Sequence, residues 1–262
     1  MEHDRGGQAR QGCGPRHPQL DKRLQAAYDM IPRCDLCADI GADHGRLSAV
    51  CLLSGKVRRM LVADISAQAL DKARKRLEAL GLADRAAFAV ADGLGALDAL
   101  PQGRVDALCA LGMGGETIAG ILRRGRDRLQ GAALVLGPQT ELALVRQTLG
   151  EIGYRIRREQ AVEAAGRFYV LMGATPLEEG EVPHTRREVV IGTDLLMESG
   201  PQGRAFLTRR GRLLQKAVKA IRAADAQKDR ARLLQLEEEL GYLREVLSRQ
   251  EDGQEFGLPI QK

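Results

Sequence analysis

The feature that most restricts the fold is a glycine-bearing turn at residues 39–45, with the sequence DIGADHG. The turn follows a short apolar run, residues 36–40, and precedes residues 47–53, which have a helical pattern. A strand that enters a glycine turn and then a helix is the nucleotide-binding corner of a doubly wound α/β fold. The turn also carries two carboxylates and a histidine. We therefore expect this loop to hold a nucleoside cofactor.

The same alternation of apolar strands and amphipathic helices continues along the chain. The patterns predict strands at residues 36–40, 59–64, 86–90, 105–111, 132–136, 154–159 and 168–172. They predict helices at residues 20–31, 47–53, 67–80, 117–124 and 141–152. The last two strands have no helix between them and are expected to pair in antiparallel. The expected fold class is α/β, with a Rossmann-like sheet of seven strands.

Two further acids stand at predicted strand ends. Asp64 ends the second strand, 25 positions after Asp39. A ribose-binding acid is expected about 20 residues beyond the glycine turn, where its carboxylate can accept hydrogen bonds from both ribose hydroxyls. The alternative for Asp64 is an N-cap of the next helix, a role that suits Ser66 better. Asp92 follows the third strand and suits an adenine amino group, or else forms a turn with Gly93.

A glycine-rich exit follows the fourth predicted strand. Three glycines, Gly112, Gly114 and Gly115, fall within four positions around Met113. They leave open space and free backbone N–H groups, where a substrate could lie beside the cofactor. The alternative is a tight strand–helix turn, which usually needs only one glycine.

The acids and glycines together favour one class of cofactor. A dinucleotide site would carry the pattern G-x-G-x-x-G, whereas here Gly41 and Gly45 flank Asp43. A carboxylate repels a pyrophosphate but attracts a sulfonium and an ammonium. With Asp64, Asp92 and the closing antiparallel strands, the loop indicates a class I S-adenosylmethionine-dependent methyltransferase.

The composition changes after residue 175. Prolines and glycines in residues 176–203 predict an irregular linker. Residues 204–250 have two helical patterns around a polar break, and the second has an a/d seam at Leu233, Leu236, Leu240, Leu243 and Leu247. Both seams are short, so we expect an antiparallel coiled-coil hairpin whose helices pack on each other, and a monomeric protein.

The charge on the predicted hairpin is uneven. Two Asp stand in residues 204–232 against ten basic residues, Arg204, Arg209, Arg210, Arg212, Lys216, Lys219, Arg222, Lys228, Arg230 and Arg232. The returning helix is acidic instead, at Glu237, Glu238 and Glu239. An ordinary solvated face would mix the signs more evenly. The separation therefore favours a surface that contacts RNA or DNA.

Composition sets the remaining expectations. A net charge of +5 favours an anionic partner, and an aromatic content of 3% argues against extensive base-stacking platforms. Five scattered cysteines indicate reduced thiols. The pair Cys34 and Cys37 precedes a strand and lacks a second ligand pair, so we expect no redox role and no metal.

The sequence shows no signal segment and no apolar run of about 18 residues, so we expect a cytoplasmic protein without membrane contact. A disordered tail is predicted at residues 1–18, and residues 251–262 are assigned to a second tail.

These motifs resemble those of the bacterial tRNA (adenine(22)-N(1))-methyltransferases. The shared segments are LDKRL at 20–24, ADIGADH at 38–44, GMGG at 112–115, LVLGPQ at 134–139 and FYVL at 168–171. The resemblance covers residues 20 to about 173, and the basic hairpin continues it. The chain departs from the family pattern at Gly137, where Gln is more usual, and at residues 45–46, where an aromatic residue is expected soon after the Asp-His pair.

The resemblance implies methyl transfer from S-adenosylmethionine to N1 of adenine 22 in tRNA. The target base of a folded tRNA is stacked, so we expect it to be flipped out. Asp43 is the expected catalytic residue, because a carboxylate can stabilise the cationic product ring or take the exocyclic proton. The alternative is that Asp43 only binds the cofactor. His44 is expected either to position the base or to pack the loop.

The motifs and the resemblance together assign two sets of residues. The predicted cofactor-binding residues are Asp39, Gly41, His44, Asp64, Ile65, Asp92, Gly93 and Gly112. The predicted substrate-binding residues are Lys22, Arg23, Met113, Gly114, Gly115, Pro138, Gln139, Arg209, Arg210, Arg212, Lys216 and Lys219. The corresponding domains are a cofactor-binding domain at residues 19–175 and a tRNA-binding hairpin at residues 204–250.

Three alternatives to this function remain open from the sequence. The first is a methyltransferase that acts on another RNA position, a small molecule or a protein. The second is a protein that binds cofactor and RNA without catalysis. The third is a dehydrogenase, which would bind NAD instead of S-adenosylmethionine.

Overall fold

The computed structural model describes residues 18–223 and 229–248. The predicted tails at residues 1–18 and 251–262 lie outside the described residues, except for residue 18. The strands are β1 (Cys34–Ile40), β2 (Val57–Asp64), β3 (Ala86–Val90), β4 (Ala107–Leu111), β5 (Ala133–Gly137), β6 (Tyr154–Ala164) and β7 (Arg167–Pro176). The helices are α1 (Lys22–Met30), α2 (Arg46–Leu53), α3 (Ala67–Ala79), α4 (Gly115–Arg124), α5 (Arg126–Leu129), α6 (Leu142–Glu151), α7 (Arg186–Ile191), α8 (Asp194–Glu198), α9 (Pro201–Ala223) and α10 (Arg230–Ser248). Two 3₁₀ helices span Ala83–Arg85 and Gly93–Ala99.

The strands form one sheet with the order β3-β2-β1-β4-β5-β7-β6. Strands β1 to β5 are parallel, and β7 is antiparallel to both of its neighbours. The predicted Rossmann-like sheet of seven strands is therefore confirmed. Strands β6 and β7 extend beyond their predicted ends because they pair with each other along almost their whole length.

The sheet is covered by helices on both faces, so its central strands are buried on both sides. In β4, Leu108 and Ala110 belong to one hydrophobic cluster, whereas Ala107 and Cys109 belong to the other. Helices α4 and α6 pack in the first cluster, and α1, α2 and α3 pack in the second. Burial on both faces explains why the central strands are continuously apolar rather than alternating.

Residues 176–203, which composition predicts to be an irregular linker, contain the short helices α7 and α8. Thr185 and Glu188 form a capping box at the start of α7. Ile191 and Leu196 are buried in the first cluster. The prolines and glycines of this segment therefore separate short helices, and Pro201 is the first residue of α9.

A buried polar cluster joins this segment to the sheet. The guanidinium of Arg146, in α6, donates to Glu159, in β6, at 2.8 Å, and both side chains are fully buried. The second carboxylate oxygen of Glu159 accepts hydrogen bonds from the backbone N–H and the hydroxyl of Thr193, each at 2.8 Å. Loss of either partner would leave a buried charge unpaired, so the cluster fixes α7 and α8 against the sheet.

Helices α9 and α10 pack against each other as an antiparallel hairpin, which confirms the predicted coiled coil. Leu207 and Val218 of α9 are buried, as are Leu240 and Leu243 of α10. Leu207 and Leu243 also belong to the cluster beneath the sheet, so the hairpin is attached to the domain through its core. Among the described residues, none of the helices combines the length and the hydropathy needed to cross a bilayer.

Candidate active site

A cleft of about 650 Å³ opens at the carboxyl ends of β1 to β4. Every residue that the sequence assigns to the cofactor lines this cleft: Asp39, Gly41, His44, Asp64, Ile65, Asp92, Gly93 and Gly112. Asp43, Arg23, Met113 and Gln139 line it as well. The parallel strands bring these residues together because their carboxyl ends meet at one edge of the sheet.

The loop after β1 is fixed by backbone hydrogen bonds to β2. The N–H groups of Gly41 and Ala42 both donate to the carbonyl oxygen of Ala63, at 2.8 and 3.0 Å. The loop then turns through Asp43, which has a φ of +47°. A left-handed backbone is uncommon outside glycine but is tolerated by Asp and Asn. This conformation leaves the side chain of Asp43 72% exposed in the cleft.

Asp43 and His44 form a pair in the cleft. Oδ2 of Asp43 lies 2.7 Å from Nδ1 of His44, and the His44 side chain is 42% exposed. The backbone N–H of Asp43 donates to Oδ2 of Asp64 at 3.3 Å, while Oδ1 of Asp64 accepts from the N–H of Ser66 at 2.8 Å. The loop after β1 and the end of β2 are thus held together, and the Asp43 carboxylate keeps a free oxygen for a ligand.

Asp39 lies at the floor of the cleft and is only 4% exposed. The pKa of its carboxyl is raised to about 6, mainly by burial; the hydrogen bond from Ser48 lowers this pKa in part, and the nearby charge of Asp64 raises it. The hydroxyl of Ser48 donates to Oδ2 of Asp39 at 2.6 Å. The anionic form of a buried acid is costly without a cation or additional donors, so this position favours a positively charged ligand.

Two glycines face the narrow part of the cleft. Gly41 has a φ of +73°, and a Cβ there would lie 3.3 Å from Sδ of Met113. Gly112 has a φ of +76°, and a Cβ there would lie 3.3 Å from Nη1 of Arg23. Side chains at these positions would strain the backbone and would narrow the space between the two loops. The sequence therefore keeps open a channel between the ends of β1 and β4.

The outer wall of the cleft carries Ile65 and Asp92. Ile65 is 74% exposed, which makes it the most exposed of the large hydrophobic residues in the described chain. An apolar side chain at a cleft wall offers a surface for a flat ring. Asp92 forms an ion pair of 3.1 Å with Arg124, and both side chains are mostly exposed. Arg124 was not predicted as a site residue.

Among the predicted substrate residues outside α9, four do not line the cleft: Lys22, Gly114, Gly115 and Pro138. Gly115 is buried, and a Cβ there would lie 2.4 Å from the carbonyl oxygen of Thr140. It therefore permits close packing of α4 against the loop after β5, and Pro138 is buried in the same loop. Lys22 lies in a separate groove that α1 forms with β6. The substrate roles assigned to these residues stay predictions.

The predicted basic residues of α9 are in two kinds of environment. Arg210 is held by an ion pair with Glu239 and by the carbonyl oxygen of Val190. Arg209, Arg212, Lys216 and Lys219 are exposed. They are spaced by three, four and three positions, so they lie on one side of the helix, which we call the basic face.

The acidic residues of α10 are paired with arginines that lie outside the basic face. Glu237 pairs with Arg222 at 2.6 Å, Glu238 pairs with Arg186 at 3.2 Å, and Glu239 pairs with Arg210. No carboxylate among the described residues forms an ion pair with the three cations Arg212, Lys216 and Lys219. The basic face is therefore left with its charge uncompensated.

Some lining residues were not found from the sequence. Thr117 and Ile121 of α4 face the cleft, and their spacing of four positions after a glycine loop could have indicated them. Asp21 also lines the cleft, where its carboxylate caps α1 by accepting from the N–H of Leu24 at 2.8 Å. Arg46 lines the cleft too, but no sequence pattern indicates it, because an exposed arginine at the start of a helix is common.

The four cysteines of the described residues, Cys34, Cys37, Cys51 and Cys109, are free thiols. Cys37 and Cys109 are buried, with their sulfur atoms 3.8 Å apart. Burial raises the pKa of the Cys34 thiol to about 12, so it is neutral at ordinary pH. No cluster of three or more His, Cys, Asp or Glu side chains suited to a metal occurs within residues 18–223 and 229–248.

Comparisons with known proteins agree with this geometry. The family described as Methyltransferase domain matches residues 20–172. The tRNA (adenine(22)-N(1))-methyltransferase of Bacillus subtilis (strain 168) is 28% identical over 239 residues, which are 87% of this chain and 97% of that protein. The crystal structure of the B. subtilis m1A22 tRNA methyltransferase TrmK is similar with a TM-score of 0.78 at 27% identity, over 88% of this chain and 99% of that one.

A third similarity extends the comparison of folds. The structure of TrmK from M. capricolum, solved with S-adenosyl-homocysteine, has a TM-score of 0.76 at 19% identity, over 87% of this chain and 98% of that one. At this identity the likeness concerns the fold alone. The match of the family to residues 20–172 includes β1 to β6, most of β7 and every residue that lines the cleft, and it places the chain in a family of enzymes. The chain belongs to the methyltransferase family.

Proposed function

We propose that this protein is a tRNA (adenine-N1)-methyltransferase that uses S-adenosylmethionine to methylate N1 of adenine 22. The observation that carries the proposal is that the likeness to the B. subtilis enzyme extends over nearly the whole of that protein, through both the cleft and the hairpin. An enzyme for a small molecule would share the cleft but would have no use for the basic face of α9.

The residues of the cleft fit S-adenosylmethionine by their chemistry. Four carboxylates stand at its strand ends, Asp39, Asp43, Asp64 and Asp92. They suit a ligand with a sulfonium, an ammonium, two ribose hydroxyls and an adenine amino group, and they would repel a pyrophosphate. We assign Asp64 to the ribose, Asp92 and Ile65 to the adenine, and Asp39 with Gly41 to the amino-acid end.

When bound, S-adenosylmethionine would supply a methyl group on a sulfonium, which passes to adenine N1 as the carbon–sulfur bond breaks and the neutral thioether leaves. The protein has to align N1 and to stabilise the positive charge that the adenine ring acquires. We propose Asp43 for the second task, because its carboxylate is 72% exposed in the cleft that Gly41 and Met113 also line. It can accept a hydrogen bond from the exocyclic amino group and then take its proton.

We propose that three other side chains position the target base. His44 pairs with Asp43 at 2.7 Å and so orients its carboxylate. Arg23 lies against Gly112, and its guanidinium is 5.5 Å from the centre of the Tyr169 ring. Gln139 lines the same end of the cleft and offers an amide for the base edge. We propose that these residues hold the flipped adenine, while the basic face of α9 holds the phosphates of the tRNA.

The test is methylation of tRNA by the purified protein. Unmodified tRNA transcripts that contain adenine 22 are incubated with labelled S-adenosylmethionine and digested to nucleosides. The proposal predicts labelled N1-methyladenosine with the wild-type protein. A labelled nucleoside of another kind would indicate another RNA methyltransferase. If tRNA stays unlabelled while a parallel incubation with a small-molecule or protein extract becomes labelled, the proposal that the substrate is RNA is contradicted.

The proposal also concerns location and assembly. A tRNA-modifying enzyme acts where tRNA matures, so we propose a cytoplasmic location. Because the seams of α9 and α10 pack on each other and on the sheet, they leave no continuous seam for a second copy, and we propose a monomer. Light scattering coupled to size-exclusion chromatography would give a mass close to 28.5 kDa for the monomer.

A further inference from the structure

A second cavity opens beside the active-site cleft, between the loop after β5 and helix α9. Its volume is about 570 Å³, and its walls include Thr140, Phe168, Phe206 and Leu213. Gln139 lines both the cavity and the cleft, so the two adjoin at this side chain. A ligand that occupies the cleft can therefore continue into the cavity.

The cavity has an aromatic wall. Two of the four phenylalanines of the chain stand here, Phe168 and Phe206, with ring centroids 5.9 Å apart and planes at 63°. Both rings are partly exposed, and Leu213 beside them is 59% exposed. In a chain with 3% aromatic residues, this concentration of open apolar surface is unusual. Open rings of this kind are the surfaces on which proteins stack unpaired bases.

The cavity also has a basic rim. The guanidinium carbon of Arg209 lies 5.9 Å from the centre of the Phe168 ring, and Arg167 lines the same opening. Arg209 is the first residue of the basic face, which continues along α9 through Arg212, Lys216 and Lys219. A polyanion that follows this face reaches the cavity before it reaches the cleft.

We propose that this cavity, the flanking-base pocket, receives the base of a nucleotide next to the target in the tRNA strand. The inference rests on the proposed function, because it assumes that the cleft holds a flipped adenine of tRNA. Phe168 provides the ring on which the flanking base stacks, Arg209 contacts its phosphate, and the Thr140 hydroxyl faces its edge.

Extrusion of the target gives the physical reason for such a pocket. When one base leaves a stack, its neighbour loses a stacking partner, and the loss opposes flipping. A protein ring that replaces the lost partner lowers this cost, and it fixes the strand on one side of the target. The pocket lies on the hairpin side of Gln139, so it holds the part of the strand that leads to the basic face.

The experiment compares two tRNA substrates and two proteins in steady-state methylation. One tRNA is intact, and the other has an abasic nucleotide next to adenine 22, prepared separately for the 5′ and the 3′ neighbour. The proteins are the wild type and Phe168→Leu, which keeps apolar volume but removes the ring. We expect the abasic nucleotide on one side to raise the wild-type KM about tenfold. We expect Phe168→Leu to raise the KM for intact tRNA by a similar factor and to be insensitive to the same abasic nucleotide.

The matched control is Phe88→Leu. Phe88 lies in β3, outside both cavities. The Arg74 guanidinium lies 4.2 Å from the centre of the Phe88 ring, so this substitution, like Phe168→Leu, removes a ring that faces an arginine. Phe88→Leu is expected to leave KM unchanged and to stay sensitive to the abasic nucleotide. Arg209→Gln, which keeps both rings, is expected to raise KM about threefold and to stay sensitive to the abasic nucleotide. If Phe168→Leu is unstable, the wild type still tests the pocket, because an unchanged KM with both abasic tRNAs would overturn it.

The results separate this inference from the function on which it rests. If the wild type methylates intact tRNA but Phe168→Leu leaves KM unchanged, or if its effect multiplies with that of the abasic nucleotide, the pocket is overturned and the function stands. If the wild type methylates no tRNA, the proposed function fails and the pocket fails with it.

Discussion

The cleft and the basic face of α9 carry opposite charges and are built in opposite ways. In the cleft, two carboxylates are fixed by hydrogen bonds: Asp39 by one from Ser48, and Asp64 by two from backbone N–H groups. On α9, the exposed Arg212, Lys216 and Lys219 are held by no carboxylate among the described residues. A charge held by hydrogen bonds acts on a ligand through its position, whereas a row of exposed, unpaired charges acts on a polyanion through its total charge. Single substitutions should therefore have large effects in the cleft and small ones on α9.

The largest effect is expected for Asp43→Asn. Asn tolerates the left-handed backbone at this position and keeps the shape of the side chain, but it cannot carry a negative charge or take a proton. We expect kcat for tRNA methylation to fall about 1,000-fold, while the Kd for S-adenosylmethionine changes less than about threefold. Rapid-quench or steady-state kinetics give the first value, and calorimetry gives the second. A higher Kd with an almost unchanged kcat would show that Asp43 only holds the cofactor.

The next effect is on stability and concerns Asp39→Asn in the ligand-free protein. Because burial raises the pKa of Asp39 to about 6, from an ordinary 3.8, the folded state binds its proton more tightly than the unfolded state does. The protonated Asp39 therefore stabilises the folded protein fully below about pH 4, and this stabilisation is lost as the pH rises towards about 6. The neutral Asn should remove this loss and raise the free energy of unfolding at pH 7.5 by up to about 3 kcal/mol.

Denaturant unfolding at several pH values checks this prediction. The wild type should lose stability between about pH 4 and pH 6 relative to Asp39→Asn, and the two curves should run parallel above that range. The same substitution should weaken S-adenosylmethionine binding, since it removes the charge that faces a cationic ligand. A less stable Asp39→Asn protein at pH 7.5 would contradict the account of a costly buried charge.

On the basic face, we expect the smallest effect on activity per substituted residue. The triple variant Arg212→Gln, Lys216→Gln and Lys219→Gln should raise the KM for tRNA about 30-fold, about threefold for each charge. Its binding should also depend less on salt, with the slope of log K against log salt reduced by about 2 to 3. The Kd for S-adenosylmethionine should stay the same, because the cleft is untouched. Filter binding at several salt concentrations measures these quantities.

A control variant removes the same charge elsewhere. Lys72→Gln, Lys75→Gln and Arg126→Gln neutralise three exposed cations on α3 and α5. Net charge alone would weaken tRNA binding equally in both triple variants. If the α3 and α5 variant loses as much affinity as the α9 variant, the basic face has no special role.

The cleft was more predictable from the sequence than the hairpin was. Glycines and acids at strand ends are local signals, and parallel strands bring such ends together, so Asp39, Asp64 and Asp92 could be placed beside each other before the structure was known. Arg124 could not, because its pairing with Asp92 depends on how α4 packs. Gly115 was assigned to the substrate for the same reason: only the packed loop shows what its missing side chain permits.

The segment between β7 and α9 was the least predictable part of the fold. Prolines and glycines in residues 176–203 indicate breaks, but they do not indicate the short helices that lie between the breaks. The fold of this segment depends on Arg146 and Glu159, which are far from it in sequence and buried beneath it. In α9, helical spacing alone gives the basic face, but the ion pair of Arg210 requires the position of α10.

The most direct test of the central claim is to locate the methyl group on tRNA. The wild-type protein methylates a transcript with adenine 22 and a matched transcript in which guanine replaces it, and reverse transcription then maps the arrest caused by a methyl group at N1. The account predicts a single arrest at position 22 in the first tRNA and none in the second. An arrest at another adenine, or equal methylation of both tRNAs, would contradict it.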